Sequence, residues 1–408
     1  MTGKQEMNSH RSGQVFALVV EPWRALPPTV RLLIFARAVN RMGAFSLPFL
    51  AALLVQGGQF SLPDVGLLLG LFGAATIPSR LLGGMFSDRI GPVQTMVAGL
   101  IGCAVFQALL GADLGKAMTI AAVIGLGLAF ELYEAPSQTL IADLTPEPTR
   151  PQAYGWLGAA LAGSAVAAGL LAAATGSSNL HILFLIDALT CMAAAGLVGW
   201  QLRAVAVPEQ QASLDSAARP WRDPLLLGLF GINTVFASVY LQVPAVLSFS
   251  VLRYSAPAAD AGLLLALSAA IIALGQPILQ RGPAVLRQPL SALIWGYVMV
   301  GLGFLASAMS QTIGQLAWAI VVASVGDLLL LGHAYSVVAR IAPVQARARY
   351  FAVYGTSWGL AAMVSGPTMT ALLETGGSAR YWFVAACAAF TLAATQAYFN
   401  TWIKRALK

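Results

Sequence analysis

The sequence predicts an all-α integral membrane protein of twelve transmembrane helices arranged as two pseudo-symmetric six-helix bundles. Three observations carry that expectation. Of 408 residues, 58% are hydrophobic and only 10% charged, too few polar groups to cover a globular surface. About twelve apolar runs of 20 or more residues follow one another, each long enough at 1.5 Å per residue to cross a hydrocarbon core of roughly 30 Å. The two halves also repeat: Asp64-x-Gly66-Leu67-Leu68-Leu69-Gly70-Leu71 recurs 196 residues later as Asp260-x-Gly262-Leu263-Leu264-Leu265-Ala266-Leu267, and Pro48 and Pro244 share that offset. Pro146 with Pro343, Arg150 with Arg347, Gly158 with Gly355 and Gly169 with Gly366 share an offset of 197. Short segments show no period-two alternation, which excludes a β-barrel.

In chain order, residues 1–29 form a cytoplasmic tail. Its apolar patch, Val15 to Val20, is followed by Glu21, Pro22 and Arg24 rather than by a small-residue cleavage site, so the first span is read as the insertion signal. Spans beginning near Val30, Ser61, Val93, Ala117, Ala153 and Leu180 make the first bundle, residues 30–203. A polar cytoplasmic linker, 204–222, carries Pro208, Glu209, Asp215, Arg219 and Pro220. Spans beginning near Pro224, Ala256, Gln288, Thr312, Tyr350 and Tyr381 make the second bundle, 223–403, and 404–408 is a cytoplasmic tail. Asp64 and Asp260 each open an outer helix end, where a carboxylate caps free amides and meets the positive dipole. Gly155, Gly158, Gly163 and Gly169 in span five permit close helix packing. Cys103, Cys191 and Cys387 fall inside spans without paired spacing, so they read as small core residues, and neither a metal, a disulfide nor a cofactor is expected.

The net charge of +7 is distributed as a membrane protein requires. Of the 23 Lys and Arg, only Lys116, Arg253 and Arg380 fall in outer loops and Arg37, Arg41 and Arg80 within spans; the rest lie in inner loops and tails if the amino terminus is cytoplasmic. That is the positive-inside pattern of a protein in the cell inner membrane with both termini cytoplasmic, not a nucleic-acid footprint.

A polar knot separates the second and third spans: Gly84-x-x-x-Asp88-Arg89-x-Gly91, followed by Pro92. Gly91 and Pro92 supply the tight turn. This stretch resembles the signature hairpin of the major facilitator superfamily of secondary transporters, and the two homologous halves resemble its architecture, in a drug/proton-antiporter-like form. The resemblance implies a substrate site near the midplane between the halves. It also implies a conformational gate of Gly84, Asp88, Arg89 and Gly91, in which Asp88 meets the start of span eleven near Arg347 and Arg349 in one end state. Arg89 is then expected to pair with Asp143. The sequence departs from the family pattern in three places. Pro92 and Val93 replace two basic residues, Gly163-Ser164 replaces the Gly-Pro of span five, and span four lacks the usual Arg.

Charges inside spans are costly and face a partner or water. Arg37 and Arg41 in span one are four apart, and Glu131 and Glu134 in span four are three apart, so each pair shares one helix face. Arg41 and Glu131 lie about 16 Å from the inner ends, and Arg37 and Glu134 about 10 to 12 Å, by helical rise. At the repeat-related positions the second half carries Asn233, Ala237, Leu328 and Leu331, so the charges are not shared scaffold. Two readings stay open: a static ion-pair ladder, or carboxylates that exchange a proton as the cavity alternates. Asp327, mid-span ten, is the next proton-coupling candidate. Arg80 is read as snorkelling to the inner surface in preference to an inner-gate role. Asn40, Asn233, Tyr240, Gln242, Tyr354 and Trp358 are the substrate-cavity candidates; such groups suit an amphiphilic solute, and equally suit packing. With no metal-ligand cluster, nucleotide loop or nucleophile–base pair, an enzyme is not expected. The leading expectation is a monomeric, alternating-access transporter that uses protons to export a small hydrophobic or drug-like compound. The alternatives are a proton-coupled importer of an organic solute, anions included, and a membrane sensor that has kept the fold.

Overall fold

The structure, a computed structural model, describes residues 23–43, 50, 53–54, 60–175, 180–202, 219–254, 259–279 and 283–406. Among these there are helices and connecting turns but no strand. Spans one to three are Pro28–Gly43, Leu62–Ile90 and Pro92–Ala112. Span four is two helices, Lys116–Phe130 and Glu134–Leu144, and spans five and six are Arg150–Thr175 and Leu180–Gln201. Span seven is also interrupted, Pro224–Tyr240 then Val243–Leu252, and spans eight to ten are Ala259–Leu279, Pro289–Met309 and Ile313–Ile341. The last helix, Arg347–Ala406, is broken where Gly377 takes φ 66°, giving span eleven (347–376) and span twelve (378–406). Eight helical stretches among the described residues, from Leu67–Ile90 to Ala371–Arg405, are long and apolar enough to cross a membrane.

The helix ends follow local chemistry. Ser61 caps span two as half of a capping box: its hydroxyl accepts from the Asp64 amide, and the Asp64 carboxylate accepts from the Ser61 amide at 3.1 Å. Gly91, at φ 91°, turns the chain so that Pro92 can start span three. Asp223 caps span seven by accepting from the Leu225 and Leu226 amides. The expected tail at 404–408 is helical through Ala406. The amino-terminal tail to residue 22 and linker residues 203–218 lie outside the described residues, as does Pro48. Of the cysteines, Cys103 and Cys191 are buried, but Cys387 is exposed on the outer face of span twelve rather than packed in a core.

The two bundles meet at one end, here termed the closed end. A Cβ on Gly84 would stand 2.7 Å from Ala352 Cβ, one on Gly332 would stand 3.0 Å from Pro151 O, and one on Gly158 would touch Leu331 at 3.4 Å. Spans two and eleven, and five and ten, therefore approach almost backbone to backbone. Toward the opposite end, Gly70 and Gly73 of span two, Gly163 of span five and Gly262 of span eight have open space where a Cβ would be. The bundles thus touch at the Asp88 end and leave open space beside spans two, five and eight toward the other, here termed the cleft. Large apolar side chains such as Leu189, Trp200, Leu274, Ile278, Trp318 and Met363 are exposed on the outer faces, where a bilayer would cover them.

Candidate functional site

Span four supplies the two glutamates where its helix tightens. The Leu132 amide donates to Ala129 O and the Glu134 amide to Glu131 O, a three-residue turn that brings positions 131 and 134 over one another. The Glu131 amide is held by Ser79 Oγ of span two at 3.2 Å. From this turn Glu134 pairs with Arg37 of span one, and its second oxygen accepts from Gln138 Nε2 at 3.0 Å. The Arg37 guanidinium also lies 4.6 Å above the Tyr133 ring, a cation–π contact.

Glu131 takes a partner that the depth argument did not assign. Its Oε2 is 3.0 Å from Arg80 Nη1 of span two. Arg80 is therefore not a snorkelling residue; it is 6% exposed and ion-paired in the interior. Arg41, matched to Glu131 by depth, has no ion-pair partner among the described residues and is exposed. Glu131 is turned instead to span two, where the Ser79 hydroxyl holds its amide, although the charge of Arg41 still acts on it. Arg37 and Arg80 each come from a separate neighbour of span four, and charge is balanced pair by pair.

Arg80 also touches the second bundle. A Cβ on Gly355 of span eleven would overlap its guanidinium, and Tyr335 of span ten lies beside it. Four residues on, Gly84 rests against Ala348 and Ala352, and four further, Asp88 Oδ2 is 2.5 Å from Arg349 Nε. One stripe of span two, Arg80-Gly84-Asp88, thus lies along span eleven.

At the gate, Asp88 does meet the start of span eleven. Asp143, however, pairs with Arg347 instead of Arg89, and both side chains are almost fully buried. Arg89 is exposed. Span eleven starts with its first turn wedged against the end of span four, placing Arg347 closer to Asp143 than the hairpin can reach. Arg150, the repeat mate of Arg347, turns back to donate to Ala142 O at 2.9 Å and Thr145 O at 3.2 Å. Above this pair sits an aromatic plug: Tyr154 against Tyr335 at 5.8 Å, Tyr335 against Phe351 at 6.0 Å, and Tyr335 against Tyr354 at 5.5 Å between ring centres.

The substrate-cavity candidates divide. Tyr240 and Trp358 stack edge to face at 5.8 Å and both are half-buried, as is Gln242 at the break in span seven. Asn233 is buried and donates to Ser357 Oγ at 2.6 Å, tying span seven to span eleven. Tyr354 belongs to the plug. Asn40 turns away from the other bundle and donates to Cys191 Sγ of span six at 3.3 Å, so it is a packing residue of the first bundle. Asp327 is buried, with Oδ1 lacking any hydrogen-bond partner. His333 is buried with Nδ1 2.7 Å from Leu329 O. No group of three or more His, Cys, Asp or Glu that could hold a metal occurs among the described residues. Sequence reasoning missed Tyr335 and Ser79 and took Gly355 only as the repeat mate of Gly158; the four-residue spacing of Arg80, Gly84 and Asp88 was the available signal that this face of span two meets a neighbour.

The sequence matches the Major Facilitator Superfamily over residues 33–287. An uncharacterised MFS-type transporter of Bacillus subtilis, YhjO, is 26% identical over 375 residues, covering 88% of this chain and 90% of that protein. Among solved structures, the human organic anion transporter MFSD10 (TETRAN) superposes with a TM-score of 0.74 at 15% identity, over 91% of this chain and 100% of that one. A bacterial homologue of the iron transporter ferroportin in an outward-facing state gives 0.73 at 15% identity, over 92% and 100%. At such identity the two structures establish the fold.

Proposed function

Because the chain belongs to the Major Facilitator Superfamily, and so is a multi-pass secondary transporter of a small molecule rather than an enzyme, we propose that it couples proton movement to export of a small hydrophobic or drug-like organic compound. Residues 30–203 and 223–403 would act as the two moving bodies, joined by the linker 204–222. With the basic loops cytoplasmic in the cell inner membrane, the closed end faces the cytoplasm and the cleft is open outward.

The observation that carries the coupling is the Glu131–Arg80 pair. Arg80 is held by Glu131 on one side and by the Gly355 surface of the opposite bundle on the other. A proton on Glu131 removes the counter-charge of Arg80 while span eleven moves away from span two, so ionisation and opening act on one guanidinium. Glu134, paired with Arg37 inside the first bundle, is the second proton-coupling group. The aromatic and amide wall of Tyr240, Trp358 and Gln242 supports an amphiphilic organic solute. Arg41, exposed and without an ion pair among the described residues, favours a second reading, an importer of an organic anion.

The test is flux in proteoliposomes under an imposed proton gradient. Glu131→Gln and Glu134→Gln should each abolish gradient-driven movement while leaving solute binding in place. Undiminished driven flux in both single variants and in the double variant removes the assignment. The orientation of gradient that produces accumulation separates export from import.

A further inference from the structure

Beyond the ion pairs of the first bundle, Arg41 in that bundle and Asp327 in the second carry charge within the spans. Arg41 is one turn beyond Arg37 on the same face of span one, exposed, and without an ion pair among the described residues. Asp327 is 9% exposed, and its Oδ1 is buried without a donor. It lies one turn from Leu331, which packs on Gly158 of the other bundle, and three residues from Ser324, which hydrogen-bonds Ser268 of span eight at 2.8 Å. Asp327 therefore shares the face of span ten that is turned to the cleft, just beyond the point where the bundles close. By helical rise both charges stand about 20 Å from the inner ends of their helices. Tyr240 lies within the fields of both Asp327 and Arg41, and its ring meets Trp358.

For the buried Asp327 an uncompensated charge is costly and a partner of opposite sign removes the cost, whereas Arg41 is exposed and meets an anionic group at the surface. A simple cation would satisfy Asp327 but face Arg41, and a simple anion would do the reverse. We propose that the cleft binds a zwitterionic organic solute, with a cationic amine on Asp327 beside the Tyr240 ring, itself a neighbour of Trp358, and an anionic group on Arg41. The rings add cation–π attraction at the amine end. This deepens the transporter reading and rests on it for the fate of the bound solute, but the binding itself is independent of proton coupling.

The experiment is isothermal titration of the purified full-length protein with four compounds of one skeleton: an arylpiperazine carboxylic acid, its methyl ester, its N-acetyl derivative and the N-acetyl methyl ester. They carry both charges, the amine only, the carboxylate only and neither. The zwitterion should bind at least about tenfold tighter than either singly charged compound, a difference readily resolved in Kd. Asp327→Asn should erase the advantage of the amine, Asp327→Glu should keep it, and Arg41→Gln should erase the advantage of the carboxylate. Thermal unfolding of each apo variant separates loss of binding from loss of fold. Equal affinities, no binding by any of the four, or an order untouched by both neutralising variants overturns the inference. So does a shift of either variant between inward and outward states without compound and without a change in binding order, because the two charges would then be partners of each other. If the predicted order holds but no variant of Glu131 or Glu134 alters proton-driven flux, the inference stands and the coupling assignment fails.

Discussion

Asp143→Asn should open the closed end more than Asp88→Asn does, although Asp88 lies in the more recognisable motif. The Asp143 and Arg347 side chains are 6% and 7% exposed, whereas those of Asp88 and Arg349 are 18% and 31% exposed. Removing one member of a buried pair leaves the other charge without water or partner, a cost of about 3–5 kcal/mol. For the partly exposed pair, solvent screens much of the loss and about 1 kcal/mol is expected. Arg347 would moreover be left facing Arg150, which is fixed by Ala142 and Thr145 carbonyls. Arg347 recovers hydration only when the bundles part, so the cost appears as population of the open state. At about 1.4 kcal/mol per factor of ten, the shift is roughly a hundredfold or more for Asp143→Asn and about fivefold for Asp88→Asn. Distances between spin labels placed across the closed end read these populations directly. Arg347→Gln in the Asp143→Asn background should restore part of the closed population, since no uncompensated charge remains. Equal opening by the two single variants, or greater opening by Asp88→Asn, would refute the reasoning.

Gly355→Ala places a methyl group in the volume of the Arg80 guanidinium; overpacking of this kind costs about 1–3 kcal/mol, to be seen as a lower Tm and as a larger separation of the spin labels across the closed end. Ser250→Ala removes the acceptor of Trp382 Nε1, a 2.8 Å bond between fully buried groups, and leaving that indole N–H unpaired should lower stability by about 1–3 kcal/mol in thermal unfolding without altering solute binding.

Span number, the two-bundle arrangement and the Asp88 contact with span eleven were legible because each is written in a one-dimensional pattern: apolar length, a repeat of nearly constant offset, and a short motif. The partners of the buried charges were not. Arg41 and Glu131 agree in depth, yet depth along two helices leaves their rotation open, and at the span-four break Ser79 holds the Glu131 amide while its carboxylate meets Arg80. Asn40 shows the same limit. One residue before Arg41, it projects about 100° around the helix and so lands on Cys191 in its own bundle. Asp143 looked available to Arg89 by proximity in the hairpin region. Only the docking of span eleven, a contact more than 200 residues away in sequence, decides that Arg347 takes it.

Where the repeat breaks is where the chemistry sits, and span two shows how the broken part is connected to the shared part. Gly84 and Asp88 belong to the gate; Arg80 belongs to the charged cluster; all three project from one face at intervals of four and lie against span eleven. Span eleven in turn carries Arg349 and Ala352 at the gate, Gly355 under Arg80, the buried Ser357 against span seven and Trp358 in the cleft wall. From Arg349 to Trp358 the helix is continuous, a rise of about 13 Å, so it moves as a rod. Any displacement that separates Asp88 from Arg349 must also lift the Gly355 surface from Arg80 and shift the aromatic wall. On the proposed coupling, loss of the Glu131–Arg80 pair would act on the gate through rigid geometry rather than through a chain of small rearrangements. That is why the neutral glycine at position 355, and not a further charge, is the residue that joins the site to the gate.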